Sequence, residues 1–266
     1  GQGSQVSIRG ASAQLTRTLL NGHSVASTGW YDQQDIDRSF NYSMLPSELV
    51  GGIEVYKSSQ ADIVEGGVGG TVVVKTRKPL DLDANTFFAS VKGTGSTASD
   101  EIDGNVSGLY SWKNDSESFG ILAAYSYNEY TLERRGDESL VSWGGRVAPT
   151  HFLQERERES FDIAAQFAPT DALTFGAHYM NMELAADSVN SQIWLASDTS
   201  AAGCNSFNAQ GVCTSTTSTQ DWYDAGGLGA NAYWETRPRN ATMETEVWDL
   251  DVTFEGDGFT LEAEVG

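Results

Sequence analysis

From Phe87 onwards the chain alternates strictly between apolar and polar-or-small residues in seven separate stretches. Phe87, Ala89 and Val91 open the series, and Val106 to Trp112 follow at even positions. Phe119 to Tyr127, Phe161 to Phe167, Leu173 to Tyr179 and Phe259 to Val265 continue it at odd positions, with Trp248 to Phe254 at even ones between the last two. A period of two puts every second side chain on one face of a strand. Seven such stretches predict seven strands, each with one apolar and one polar face. A helical bundle is excluded, because its apolar residues would recur at three to four.

The connections constrain the fold further. Lys113 to Ser116, Ala168 to Asp171 and Glu255 to Gly258 are short and turn-like. Thr94 to Asp103, Gly136 to about Gln154 and about Asp187 to Asn240 are longer. Short and long connections therefore alternate. A transmembrane β-barrel has tight turns on one rim and long loops on the other, whereas a sandwich has no reason to alternate. The apolar face ends in Tyr110, Trp112, Tyr125, Tyr127, Tyr179 and Trp248, as an interfacial aromatic girdle would. The opposite face carries Ser, Thr, Asn, Asp, Glu and Lys, which suits a wet or protein-filled lumen. No run of about 18 apolar residues exists, so no transmembrane helix is expected.

Composition narrows the class. Acidic residues outnumber basic ones 37 to 16, a formal charge of −21. Nucleic-acid binding needs a basic stripe and is not expected. High glycine with many aromatics and little proline suits strands and turns rather than disorder. The chain opens in structured-looking sequence and stops within a strand pattern, which predicts a piece of a longer protein. Cys204 and Cys213 lie close together in a polar stretch, far from all three His, so a local disulfide is expected there rather than zinc.

Residues 1–79 have a different texture. Gln5–Arg9 reads as a short strand ended by Gly10, and Gln14–Leu20 as a second. Asn21-Gly22 is a hairpin signal. Ser27–Ser43 has no period and reads as an exposed aromatic loop. Pro46–Val50 suggests a helical turn, Gly52–Tyr56 a strand and Gln60–Glu65 another turn. A glycine cluster (Gly66, Gly67, Gly69, Gly70) precedes the β-branched run Thr71–Val74, a strand of the buried type. The expected fold is a mixed α/β domain over 1–79, followed over 80–266 by antiparallel membrane strands. Seven strands cannot close around such a domain; a barrel that wide needs about 22.

These residues resemble a TonB-dependent outer-membrane receptor. Val6-Ser7-Ile8-Arg9-Gly10, Thr18-Leu19-Leu20-Asn21-Gly22, Leu45–Val50 with Ile53-Glu54-Val55-Tyr56-Lys57, and Glu65–Val72 with Lys75-Thr76-Arg77 are similar in order and spacing to the family's plug domain. Ser-Glu-Leu-Val, Glu-Val-Tyr-Lys and Thr-Arg-Lys-Pro-Leu look most like a Caulobacter- and Xanthomonas-type subgroup linked to carbohydrate uptake. The resemblance implies a 22-stranded barrel in the bacterial outer membrane, filled by a plug and embedded in outer-membrane lipid. It implies uptake of a scarce substrate driven by TonB, whose contact segment would lie upstream of Gly1. No cofactor, resident metal or enzymatic activity is implied.

In a plugged barrel the substrate meets the plug apex first. Trp30 and Tyr31 could stack on a sugar ring, and Asp32, Asp37, Arg38 and Asn41 could bind its hydroxyls. The bland alternative is that these residues seal the plug against the wall. Asp32, Asp35 and Asp37 hint at a calcium loop but lack its glycine and terminal Glu. Trp222, Tyr223, Tyr233 and Trp234, near the two cysteines, could form a lid. The glycine cluster lacks the Gly-Lys-Ser/Thr of a phosphate loop, so tight turns are expected. Arg9, Lys75 and Arg77 are expected to pair with lumen acids such as Asp249 and Asp251, and the run Glu155–Glu159 to form the solvated top of a strand. An oligosaccharide is the expected substrate; a ferric siderophore or other metal chelate is the alternative, and a soluble β-rich adhesion module the reading from another class.

Overall fold

A computed structural model describes residues 5–25, 39–47, 49–61, 63–97, 99–140, 146–194, 204–209, 213–216 and 233–266. Two sheets carry the architecture. The first has four strands: β1 (Thr16–Leu20), β2 (His23–Ser24), β3 (Val50–Tyr56) and β4 (Gly70–Thr76), in the order β2-β1-β4-β3. β1 runs parallel to β4, and β3 antiparallel to it. The β-branched run lies in central β4, where Thr71, Val72, Val74 and Thr76 are buried. Gly70 precedes it at φ +142°. A Cβ there would stand 2.7 Å from Ile8 Cδ1 and 2.9 Å from the Tyr56 carbonyl, so only glycine admits this approach.

Gln5–Arg9 forms no strand. The chain turns instead at Arg9 and Gly10, both at positive φ, and drops Ile8 into the core. The expected strand Gln14–Leu20 starts only at Thr16, after a 3-10 turn at Ala13–Leu15; Ser39, Phe40 and Asn41 of the expected exposed loop are buried; and the described residues of this domain hold no α-helix, so the expected mixed α/β domain is built of strands and turns. Asn21 (φ 49°) and Gly22 (φ 88°) make the hairpin turn between β1 and β2. Single turns close at Pro46–Leu49 and Gln60–Ile63.

A 3-10 turn, Pro79–Asp81, hands the chain to the second sheet. Its strands are β5 (Thr86–Gly95), β6 (Ile102–Lys113), β7 (Phe119–Leu140), β8 (Arg146–Thr170), β9 (Leu173–Trp194), β12 (Tyr233–Gly256) and β13 (Phe259–Val265). All neighbours are antiparallel, and apart from a small separate hairpin of β10 (Cys204–Phe207) with β11 (Cys213–Thr216) the spatial order follows the chain.

The outer face is layered. Phe119, Phe167 and Phe175 form one cross-strand aromatic row. Ile121, Ala165, Ala177, Leu250 and Val265 form an aliphatic row above it, and Tyr179 with Trp248 an aromatic row above that. Ile121, Leu250, Phe167, Phe175, Tyr179 and Trp248 are all exposed. An exposed apolar band bounded by aromatics is what lipid requires. The inner face is polar, small or buried: Ser107, Ser111, Ser126, Ser160, Asp162, His178 and Asp249 point there, among Leu109, Leu122, Met180 and Met182. Those apolar residues join Ile8, Leu20, Leu49, Val72 and Val74 of the first domain in one core.

The connections differ from the sequence reading. β5–β6 and β7–β8 are joined by only 96–101 and 141–145, because the strands run through most of Gly136–Gln154 and into both ends of Thr94–Asp103. β7, β8, β9 and β12 have 22 to 25 residues. A membrane crossing needs about 9 to 11. The apolar band accounts for the lower part of each strand, and the remainder projects beyond it.

Candidate functional site

The most elaborate polar assembly lies where the small domain meets the wall. His178 on β9 stands between Asp162 on β8 and Asp249 on β12. Its Nε2 is 2.6 Å from Asp162 Oδ2 and its Nδ1 is 2.8 Å from Asp249 Oδ2. All three side chains are less than a tenth exposed. A nitrogen facing each carboxylate is satisfied when both carry a proton, which is the imidazolium form. Two carboxylates and one cation leave excess negative charge in a buried place, and the small domain meets it with a neutral donor. Asn21, at the β1–β2 turn, brings its Nδ2 to 3.2 Å from His178 Nδ1 and 3.5 Å from Asp249 Oδ2. The same Nδ2 donates to Thr76 Oγ1 at 2.9 Å, while Asn21 Oδ1 accepts from the Thr76 amide at 2.9 Å. One turn residue thus ties the end of β4 to Asp249 of β12, beside His178 of β9.

Further bonds seat the small domain. The Leu80 amide donates to Gln166 Oε1 at 3.0 Å, and Lys113 Nζ to the Leu80 carbonyl at 3.3 Å. Arg158 Nη1 donates to the Ser43 carbonyl at 2.9 Å. Met44 packs with Leu184 and Met243 of the wall. Between the four-stranded sheet and the wall, beside Pro79–Asp81, lies a cavity of about 980 Å³. Lys75, Arg77 and Lys78 line it together with Glu54, Asp249, Asp251, Glu262 and Glu264.

The expected ion pairs are redistributed. Lys78, not Lys75, meets Asp251, at 3.6 Å, and Asp249 is engaged by His178. Lys75 turns to Glu54 on the neighbouring strand at 2.6 Å. Lys75, helped by Tyr56, holds the Glu54 carboxyl below the usual carboxylate range, and Glu54 in turn raises Lys75. Sequence pattern flagged Lys75, Asp249 and Asp251 but not Lys78, Glu54 or His178; which cation reached which acid depended on strand register, which no local pattern encodes.

Of the residues expected to bind substrate, Trp30, Tyr31, Asp32, Asp37 and Arg38 lie outside the described residues, as do Asp35, Trp222 and Tyr223. Asn41 is described, and it is buried. Its Oδ1 accepts from the Ser43 amide at 3.1 Å and from Ser43 Oγ at 2.5 Å, a side-chain turn that shapes its own loop. Trp234, the second residue of β12, is exposed, with its indole donating to Thr236 Oγ1 at 3.0 Å. Cys204 and Cys213 begin the paired strands β10 and β11, but their side chains, and so the expected disulfide, lie outside what the structure describes.

Above the seated domain the wall sorts its charges. The run Glu155-Arg156-Glu157-Arg158-Glu159 alternates at strand spacing. Buried Phe152, Gln154, Ser160 and Asp162 fix the even side as the inner one, so the arginines face inward and the glutamates outward. The sequence reading of this run as merely solvated missed that. On neighbouring strands Arg134, Arg237 and Arg239 share the inner face, and the Arg134 guanidinium lies 5.7 Å from the centre of the Phe152 ring.

Residues 1–71 match the family model of the TonB-dependent Receptor Plug Domain. No curated protein matches the sequence. Among solved structures, the chain is similar to the siderophore receptor PirA from Acinetobacter baumannii, at 13% identity and a TM-score of 0.41, over 98% of this chain and 41% of that one. It is also similar to the siderophore receptor PiuA from the same organism, at 11% identity and a TM-score of 0.34, over 99% of this chain and 55% of that one. It spans about half the length of such receptors or less.

Proposed function

We propose that this chain forms the plug, over 1–79, and the first seven barrel strands, over 80–266, of a TonB-dependent transporter of the bacterial outer membrane. One observation carries the reading. A small mixed domain matching the plug model is seated by hydrogen bonds and a shared core on the polar face of a seven-stranded antiparallel sheet. The other face of that sheet is exposed, apolar and bounded by aromatics. A soluble adhesion module would pay heavily to expose that band to water. The barrel is about 22 strands, wide enough to hold a plug. The turns after β6, β8 and β12 then face the periplasm, and the projecting strands face outward. TonB supplies the force that shifts the plug.

The substrate in this reading is an oligosaccharide, met at the apex by Trp30, Tyr31, Asp32, Asp37 and Arg38, with Asn41 shaping the loop that presents them. A second reading, uptake of a ferric chelate, is favoured by Tyr130, which is paired in register with Arg156 on the inner wall. Fractionation of cells making the full-length protein tests the transporter class. The protein should remain in the outer membrane and migrate faster on a gel before heating than after; release by salt alone would refute the class. Calorimetric titration of the purified receptor with neutral oligosaccharides and ferric chelates separates the two substrates.

A further inference from the structure

The plug is seated differently on its two flanks. Towards β6 and β7, Leu20, Val72 and Val74 close a buried core with Leu109, Leu122 and Ala124, and Met180 and Met182 of β9 complete it. Val247 of β12 only borders that core. Towards β12 and β13 lies the cavity of about 980 Å³, and the wall there is polar: Asp249, Asp251 and Thr253 on β12, Glu262 and Glu264 on β13. Parting the first flank would expose apolar surface and break close packing. Parting the second separates polar groups whose partners water can replace.

The β1–β2 turn closes the upper end of this polar seam. Asn21 and Gly22 line the cavity, and its uppermost residues on β9, β12 and β13 are His178, Asp249 and Glu264. The turn meets all three: a Cβ on Gly22 would stand 2.7 Å from Glu264 Oε1. Each side of this contact is satisfied without the other. In the wall, His178 turns one ring nitrogen to Asp162 and the other to Asp249. In the plug, the Asn21 amide donates to the Val74 carbonyl at 2.9 Å, its Oδ1 accepts from the Thr76 amide, and its Nδ2 donates to Thr76 Oγ1. What crosses is the second Nδ2 proton, aimed at Asp249 Oδ2 over 3.5 Å, the outer limit of a hydrogen bond. The closer approach of Nδ2 to His178 Nδ1 sets two donors face to face when the ring is protonated, and adds no bond. Lower down, Lys78 meets Asp251 at 3.6 Å with about half of its side chain in water, and such pairs are weak.

We propose that the way past the plug runs beside β9, β12 and β13, and that the Asn21-Gly22 turn is its stop. The plug parts from the wall at this turn first, while the apolar flank against β6 and β7 stays closed. The inference rests on the transporter reading and adds the route. A lining of carboxylates, amines and hydroxyls fits a hydrophilic solute.

The test places full-length receptor in a planar bilayer, with potassium chloride as the permeant probe. The wild type should conduct little. Asn21→Asp sets a carboxylate against Asp249 in place of a donor, so the seam should open and conductance rise about tenfold. Asn21→Ala, which only removes the donor, should raise it about threefold, and it serves in place of Asn21→Asp if that variant does not fold. Val72→Ala, which loosens the apolar flank, should stay at the wild-type level. Thr253→Cys or Ser126→Cys is then added to the open variant and treated with a charged methanethiosulfonate. Thr253 lines the seam and Ser126 is buried on the other flank, so only the first should block, cutting the current by at least half. The open variant without an added cysteine sets the baseline. Asn21 variants that stay closed, an equal rise with Val72→Ala, or any pattern of block other than Thr253 alone overturns the proposal. Heat-modifiable mobility is read on every variant. If the wild type does not insert as a heat-modifiable barrel, the transporter reading fails; if it inserts and the seam does not open as described, this inference fails alone.

Discussion

The lower and upper halves of the wall use one strand period for opposite ends. In the lower half, alternation separates lipid from plug: Ile121, Leu250 and Trp248 point out, while Ser126, Asp162 and His178 point in and are buried. In the upper half both faces are polar; within Glu155–Glu159 alternation puts arginines inside and glutamates outside, while Glu138 and Glu235 share the inner face and Arg135 the outer one. A polar group in the lower half has no water to fall back on, so each must find a protein partner. A charge in the upper half keeps its water and loses little when a partner is removed. Substitutions should therefore cost kilocalories below and tenths above.

The largest loss should come from His178→Ala. It leaves Asp162 and Asp249 facing one another in a buried space without their cation, which costs about 3–5 kcal/mol for a broken buried pair. Thermal unfolding of the full-length receptor should fall sharply, and protease should cut the plug earlier; an unchanged melting curve would remove the cluster's structural role. Leu250→Arg, in the aliphatic row of the outer face, should cost about 2–4 kcal/mol of membrane-reversible folding stability. Equal stability would mean that this row does not lie in lipid. Asn21→Ala removes the acceptor of the Thr76 amide and should cost about 1–3 kcal/mol, read in the same melting experiment.

The halves were also unequally legible. The lower strands carried their own signature, because lipid on one side and plug on the other force an apolar–polar period. The upper strands hid theirs. With polar residues on both faces, a hydrophobicity pattern sees only a polar stretch, and Gly136 to Gln154 reads as loop. Pro149 and Pro238 lie within the stretches that read as loops, although proline is unwelcome within a sheet. Pro149 pairs with Asp137 just before β8 meets β9, where the strand has a single neighbour, and Pro238 pairs with Val189 of β9. The plug was legible through its turns, because Asn21-Gly22 and the glycine cluster demand particular backbone angles. Its contacts were not. His178, Asp162 and Asp249 lie 16 and 71 residues from one another along the chain, joined only by the register of three strands.

A smaller effect of opposite sign tests the upper half. Glu159, Glu183 and Glu244 stand directly opposite one another across β8, β9 and β12 on the outward face. Like charges in register repel, so Glu183→Gln should stabilise the receptor by about 0.2–1 kcal/mol, most visibly at low salt. A loss instead would mean that the row is bridged by something that the protein binds.

The smallest effect concerns acid. Glu133 accepts from His151 Nε2 at 2.8 Å and pairs with Arg135. His151 first, then Arg135, hold its carboxyl below the usual range. A carboxyl lowered by folding adds stability that is complete above its unfolded pKa and disappears as pH falls through the folded one. The projecting β7–β8 hairpin should therefore keep its amide protection through mild acid and lose it only below the range where ordinary carboxylates titrate. His151→Ala should shift the Glu133 titration upward, as followed by carbon-13 NMR of the labelled side chain. The global melting temperature should barely move, because the group lies on the projecting hairpin, away from the core that joins the two sheets. If acid at that same pH instead released the plug, the two halves would be coupled, and the separation between a lower half that seats the plug and an upper half that projects beyond it would have to be abandoned.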